Sequence, residues 1–234
     1  MTTQPMPQSP GFLLLHSPLV GPGTWKPVAE ALRAQGHRAA TPDLRLSTLE
    51  PPYYPALAER IADAGRGGDI VVAHSGAGAL AGAARSPLGV VFVDALLPHP
   101  GRPWLSTVAP QMADQLAASA SDGLLPAWNA WLPEGALERL LPDPAVREAF
   151  LAELEPTPLA YFQEEAPRWP GVDQARAAYL QLSEAYAVEA KHAADTGAHV
   201  VRLPGHHLSM LTDADKLAET LVMLAARWTP ATAR

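Results

Sequence analysis

Ser75 stands in the stretch DIVVAHSGAGAL (69–80), where an apolar run gives way to small residues. A serine hydroxyl is a poor nucleophile unless a base removes its proton and the backbone holds it clear of the sheet. A sharp strand-to-helix turn does the second, and it admits only small residues two positions to either side of the serine. Ala73 and Ala77 fill those positions, with Gly76 and Gly78 adding room. The same residues also suit an ordinary turn in which Ser75 caps the following helix. A base is available in LPGHHLSML (203–211), where His206 and His207 follow the last apolar run. Adjacent histidines point in different directions, so one of the two faces the serine. Serine early and histidine late, with an acid between, is a chain order known for acyl-transfer sites on parallel sheets.

The elements that must position these residues alternate in type. GFLLLHS (11–17) reads as a buried strand, and TWKPVAEALRAQGHR (24–38) as a helix with Trp25, Val28, Ala31 and Leu32 on one face. Gly36 is its C-terminal stop. AATPDL (39–44) is a second strand, and 54–65 a helix carrying Leu57, Ile61 and Ala64 at helical spacing. DIVVAHS (69–75) is a strand, GAGALAGAARS (76–86) a small-residue helix, and LGVVFVDALLP (88–98) another strand. Continuous apolar strands joined through helices predict a mostly parallel sheet covered on both faces.

From Pro98 to Arg176 proline recurs, the helical segments are short, no strand stands out, and Trp104, Trp128, Trp131 and Trp169 are concentrated. Strands return at 177–183 and 198–204 with a helix between them. The segment 213–228 reads as a closing amphipathic helix with Asp213 at its start. The expected organisation is a core of residues 1–97 and 177–234, interrupted by a helical insertion at 98–176.

Composition narrows the function classes. The chain has 234 residues, 48% of them hydrophobic and 18% charged, with a formal net charge of −7. It carries no lysine- or arginine-rich run, which argues against nucleic acid as a partner. The absence of cysteine excludes thiolate metal sites, disulfides and a cysteine nucleophile. No stretch reaches the roughly 18–20 apolar residues of a membrane span. The N-terminal MTTQPMPQSPG has no basic region followed by an apolar core, so it reads as a flexible lead-in. A cytoplasmic location is the expectation. Metal-ligand spacings and glycine-rich phosphate loops are absent.

The segments LLLHSPLVGPGTWKPVAEALRAQGHRAATPDL, VVAHSGAG, VVFVDALLPHPG and LPGHHLSML together resemble the α/β-hydrolase superfamily over nearly the whole chain. The chain is most similar to its small esterase, methylesterase and hydroxynitrile-lyase-like branch, and two of the segments also resemble polyketide thioesterase domains. The resemblance implies an α/β-hydrolase fold, a mostly parallel sheet flanked by helices with a helical cap, and no cofactor.

It also maps Ser75 to the nucleophile. His207 maps to the general base, because the family pattern places a bulky apolar residue after the histidine, here Leu208; His206 is the fallback. Most relatives carry the acid just after the strand at 177–183, which points to Glu184, although strict register puts Ala185 there. Asp94 matches the acid position of the thioesterases and is preferred; a Ser–His dyad without an acid is the third arrangement. Within VVAHSGAG and LLLHSPLVG, His74 and His16 map to structural positions.

An acyl-transfer site of this kind needs two donors aimed at the developing oxyanion. Gly76 supplies one amide. The family's second donor position falls near Pro18, which has no N–H, so either the Leu19 amide or the Ser17 hydroxyl takes its place. The insertion would lie over the site as a cap. Trp104, Trp128 and Trp131, joined by Met112, Leu124 and Leu125, would line an apolar substrate pocket or pack the cap onto the sheet.

The expected function is a serine hydrolase for a small apolar ester or thioester. Pro18 motivates an alternative, a lyase or cyclase using the same residues. A third possibility is a ligand-binding protein without catalysis.

Overall fold

The computed structural model describes residues 10–169 and 176–228. Residues 1–9 of the lead-in, residues 170–175 of the 98–176 insertion and residues 229–234 lie outside them.

β1 (Phe12–Leu15) enters the centre of the molecule with all four side chains fully buried. Four consecutive apolar residues leave no polar face, so the strand is stable only with both sides covered. Each leucine so buried contributes roughly 1.5–3 kcal/mol. α1 (Lys26–Ala34) comes after a 3-10 turn at Pro22–Trp25 and buries Val28 and Leu32. Gly36 ends it at φ +84°, a conformation that costs glycine nothing.

β2 (Ala39–Ala40) is shorter than the 39–44 strand the sequence suggests. Pro42, which lacks an amide to donate to a ladder, comes two residues later. α2 (Tyr53–Ala64) buries Leu57 and Ile61 and leads through a short turn to β3 (Ile70–Ser75). The small-residue helix expected at 76–86 forms as a 3-10 helix over Gly76–Ala83. β4 (Gly89–Ala95) is buried along its whole length.

The chain between β4 and the next sheet strand contains α3 (Pro110–Ser119), β5 (Leu124–Leu125), α4 (Ala136–Leu140), α5 (Pro144–Leu151), β6 (Thr157–Pro158) and α6 (Leu159–Gln163). The sequence showed no strand here, yet β5 and β6 form a two-residue antiparallel ladder. A ladder this short has no periodicity to read. Met112 and Leu124 are 49% and 42% exposed, so neither sits as a buried pocket wall, whereas Leu125 is fully buried.

β7 (Ala177–Gln181), α7 (Ala187–Asp195), β8 (His199–Arg202) and α8 (Ala214–Ala226) complete the sheet. Its six strands run in the order β2-β1-β3-β4-β7-β8, and every pairing is parallel. α1 packs against α8, α2 against the Gly76–Ala83 segment, and α7 against β7 and β8. Asp213 precedes α8 but makes no side-chain cap; its carboxylate accepts from the Thr212 hydroxyl at 2.7 Å. Among the described residues no helix is long and apolar enough to cross a membrane.

Candidate active site

Ser75 ends β3 with φ +55° and ψ −126°. A non-glycine residue in such a region costs on the order of 1–3 kcal/mol and persists only when its surroundings impose it. They do so here. Ala73 and Ala77 are fully buried, and a Cβ on Gly78 would collide with the Leu96 carbonyl oxygen. Ser75 occupies the cap position of the 3-10 segment yet makes no capping hydrogen bond. Its Oγ lies instead 3.3 Å from the Tyr186 hydroxyl.

A second backbone device presents Asp94. The pairing of β3 with β4 shifts between His74, opposite Val93, and Ser75, opposite Ala95. Asp94 is the residue left over in this bulge, at φ +38°; bulges of this kind re-aim a side chain. Its carboxylate is fully buried. Oδ1 accepts from the amides of Leu182 at 2.7 Å and Ser183 at 3.2 Å, and Oδ2 from the Ser183 hydroxyl at 2.6 Å. Oδ2 also lies 3.4 Å from His207 Nδ1.

Glu184, the other carboxylate considered, is not brought to the histidine in this way. Its side chain is 84% exposed and its ionic partner is Arg202, at 4.0 Å. It opens the 3-10 turn Glu184–Tyr186 with its side chain in solvent, whereas Asp94 lies one residue before the end of an interior strand.

His207 is fixed by its own backbone and by its neighbour Leu208. The His207 carbonyl accepts from His74 Nε2 at 2.9 Å, and Leu208 is fully buried. The rings of His74 and His207 lie 4.4 Å apart. Burial, reinforced by the neighbouring His207, holds the His74 pKa well below the usual histidine value. His74 is therefore a neutral strut beside the elbow. His206 turns to its own loop: Nδ1 accepts from the Leu208 amide at 3.2 Å and Nε2 lies 3.2 Å from the Thr212 hydroxyl.

His16 is fully buried. Its Nδ1–H donates to the Ser17 carbonyl at 2.8 Å and its Nε2 accepts from the Leu44 amide at 2.9 Å. This pair of bonds selects the neutral tautomer, and burial lowers the pKa to about 4.

The loop after β1 approaches the turn at Ser75 through Ser17. A Cβ placed on Gly76 would lie 3.0 Å from Ser17 Oγ. The Leu19 amide donates to the same Oγ at 3.3 Å, so it is engaged within the loop. A hydroxyl that accepts from an amide still has its own proton to donate.

Tyr186 belongs to no motif in the sequence. Its ring lies parallel to the His207 imidazole, at 6° and 4.9 Å between centroids, while its hydroxyl meets Ser75 Oγ. Burial raises the phenol to about 12, so it is protonated at neutral pH. Its one mark in the sequence is an aromatic side chain two positions beyond Glu184, in the loop that follows β7.

Of the tryptophans, Trp128 touches the site, with its ring 6.1 Å from that of His207. Trp104 and Trp131 pack on Phe162 at 5.0 and 5.9 Å. The Trp169 indole N–H donates to the Ala79 carbonyl at 2.8 Å, fastening the long segment after β4 to the turn after Ser75. Among the described residues, no cluster of three or more His, Cys, Asp or Glu side chains is arranged to hold a metal ion.

A family model described as "Alpha/beta hydrolase family" matches residues 12–220. No curated protein matches the sequence. Among solved structures, an extracellular alpha/beta-hydrolase from a Paenibacillus species, described as sharing structural and functional homology with tobacco salicylic acid binding protein 2, is similar with a TM-score of 0.74. It is 19% identical, and the alignment covers 92% of this chain and 98% of that one. A pyrethroid hydrolase from Sphingobium faniae is 21% identical with a TM-score of 0.63, over 93% of this chain and 97% of that one. Tomato methylketone synthase I, complexed with 2-tridecanone, is 16% identical with a TM-score of 0.68, over 94% of this chain and 99% of that one. At these identities the structural likeness establishes the fold.

Proposed function

The chain belongs to the alpha/beta hydrolase family, and from that premise we propose that it is a serine hydrolase acting on small apolar esters or thioesters through Ser75, His207 and Asp94. The observation that carries this reading is the placement of a fully buried Asp94 carboxylate 3.4 Å from His207 Nδ1, beside the strained elbow at Ser75.

In the proposed reaction Ser75 Oγ attacks the substrate carbonyl carbon while its proton passes to His207 Nε2. Asp94 holds Nδ1 protonated, so that Nε2 is the basic nitrogen, and stabilises the imidazolium that forms. The oxyanion is met by the Gly76 amide and the Ser17 hydroxyl. The Leu19 amide is assigned the lesser part of orienting Ser17, to which it already donates. His207 then returns its proton to the leaving group, and a water molecule, activated by the same histidine, releases the acyl group. The described part of the insertion, residues 98–169, is read as the cap of the site, with Trp128, whose ring lies 6.1 Å from that of His207, as an apolar wall. Trp104 and Trp131 are assigned to the packing of that cap.

A second reading keeps the same residues in a lyase or cyclase reaction. Pro18 favours it, because the loop lacks one backbone donor that ester hydrolysis would use.

The test is labelling with a fluorophosphonate probe alongside turnover of a panel of p-nitrophenyl esters. The wild-type protein is expected to label and turn over, and Ser75→Ala to do neither. Labelling that persists in Ser75→Ala overturns the assignment. A wild-type protein that resists the probe yet converts an activated biosynthetic intermediate selects the second reading.

A further inference from the structure

Tyr186 touches both halves of the proposed catalytic machinery. Its hydroxyl is 3.3 Å from Ser75 Oγ, and its ring is stacked parallel to that of His207 with centroids 4.9 Å apart. The parallel stack places the phenol on the histidine side of the nucleophile. In acyl transfer that is the side from which the leaving group departs, because His207 must hand it a proton. The leaving oxygen and Oγ are bonded to the same tetrahedral carbon, so a donor beside Oγ on that side is positioned to turn to the leaving oxygen.

We propose that Tyr186 is a catalytic hydrogen-bond donor to the leaving-group oxygen, and that it fits the site to oxygen esters rather than thioesters. This rests on the serine-hydrolase reading above. As the bond from Ser75 Oγ to the carbonyl carbon forms, the serine proton moves to His207 Nε2. When the bond from that carbon to the leaving oxygen breaks, the electron pair goes to that oxygen. It is steadied by the Tyr186 O–H and then takes the proton from His207, leaving as an alcohol. Tyr186 keeps its own proton throughout. A thioester sulfur is a weak acceptor and gains little from the phenol.

The experiment compares an ethyl ester with the S-ethyl thioester of the same aliphatic acid, in the wild-type protein and in Tyr186→Phe. The phenylalanine keeps the ring on His207 and removes only the hydroxyl. kcat/KM for the oxygen ester is expected to fall by about 3- to 10-fold, the range for one hydrogen bond, with the loss in kcat. The thioester rate is expected to stay within about twofold, which also shows that the variant is folded. Equal losses on both substrates, or none on either, overturn the proposal. If Ser75 of the wild type takes up a fluorophosphonate and the substrate ratio is unmoved, only the role of Tyr186 falls. If the wild type neither labels nor cleaves either ester, the hydrolase reading falls and takes this one with it.

Discussion

Asp94 Oδ2 lies 3.4 Å from His207 Nδ1 although the two residues are separated by 113 positions in the chain. The contact depends on the bulge that leaves Asp94 unpaired at the end of β4. It also depends on the amide and hydroxyl donors of Leu182 and Ser183 that pin the carboxylate. A residue this firmly held can set the tautomer of the histidine it faces.

Asp94→Asn keeps the shape and removes the charge, so ester turnover should fall by about 1,000- to 10,000-fold, the scale for losing the acid of such a triad. Glu184→Gln should leave kcat/KM within about twofold, as expected for an exposed surface substitution. Steady-state kinetics on one p-nitrophenyl ester compares the two. A larger loss in the Glu184 variant would reverse the assignment.

The oxyanion assignment singles out Ser17. Removing one donor of this kind typically costs about 100- to 1,000-fold in kcat. Ser17→Ala should therefore lower kcat on that scale with KM little changed, while Ser17→Thr, which keeps a hydroxyl, should recover part of the rate. A Ser17→Ala variant with wild-type kcat would hand the role to the loop backbone.

Stability should decline on mild acidification. The His16 pKa is about 4 in the folded protein against 6.5 as the ordinary value, because burial penalises the charged ring. Between these values the unfolded chain binds the proton that the folded chain refuses. Stability is thus full above about pH 6.5 and falls as pH drops toward 4, by on the order of 3 kcal/mol from this residue. His74, shifted the same way by burial, adds in the same direction. Urea unfolding at about pH 7.5 and about pH 4.5 should show a lower midpoint in acid. A midpoint that holds or rises in acid would contradict the buried neutral state of both rings.

The alternation of strands and helices was legible in the sequence because it is written in local periodicity. FLLL and IVVA are short, continuous apolar runs of the kind buried strands carry, and Leu57 and Ile61 fall on one helix face by spacing alone. Ser75 as the end of β3, with small residues around it, was legible for the same reason. The choices between neighbours were not. His206 and His207 differ by one position, and what separates them is the Thr212 hydroxyl on one side and the His74 and Asp94 contacts on the other. Glu184 and Asp94 are both acids near strand ends, and only the register shift opposite Ser75 brings one of them to the histidine. Tyr186 was invisible because its significance is its distance to Ser75, 111 positions away in the chain. Sequence pattern determines which side chains a strand or helix must bury. Only the packing of one loop against another decides which polar atoms meet, because those contacts are set by three-dimensional distance and carry no repeat along the chain.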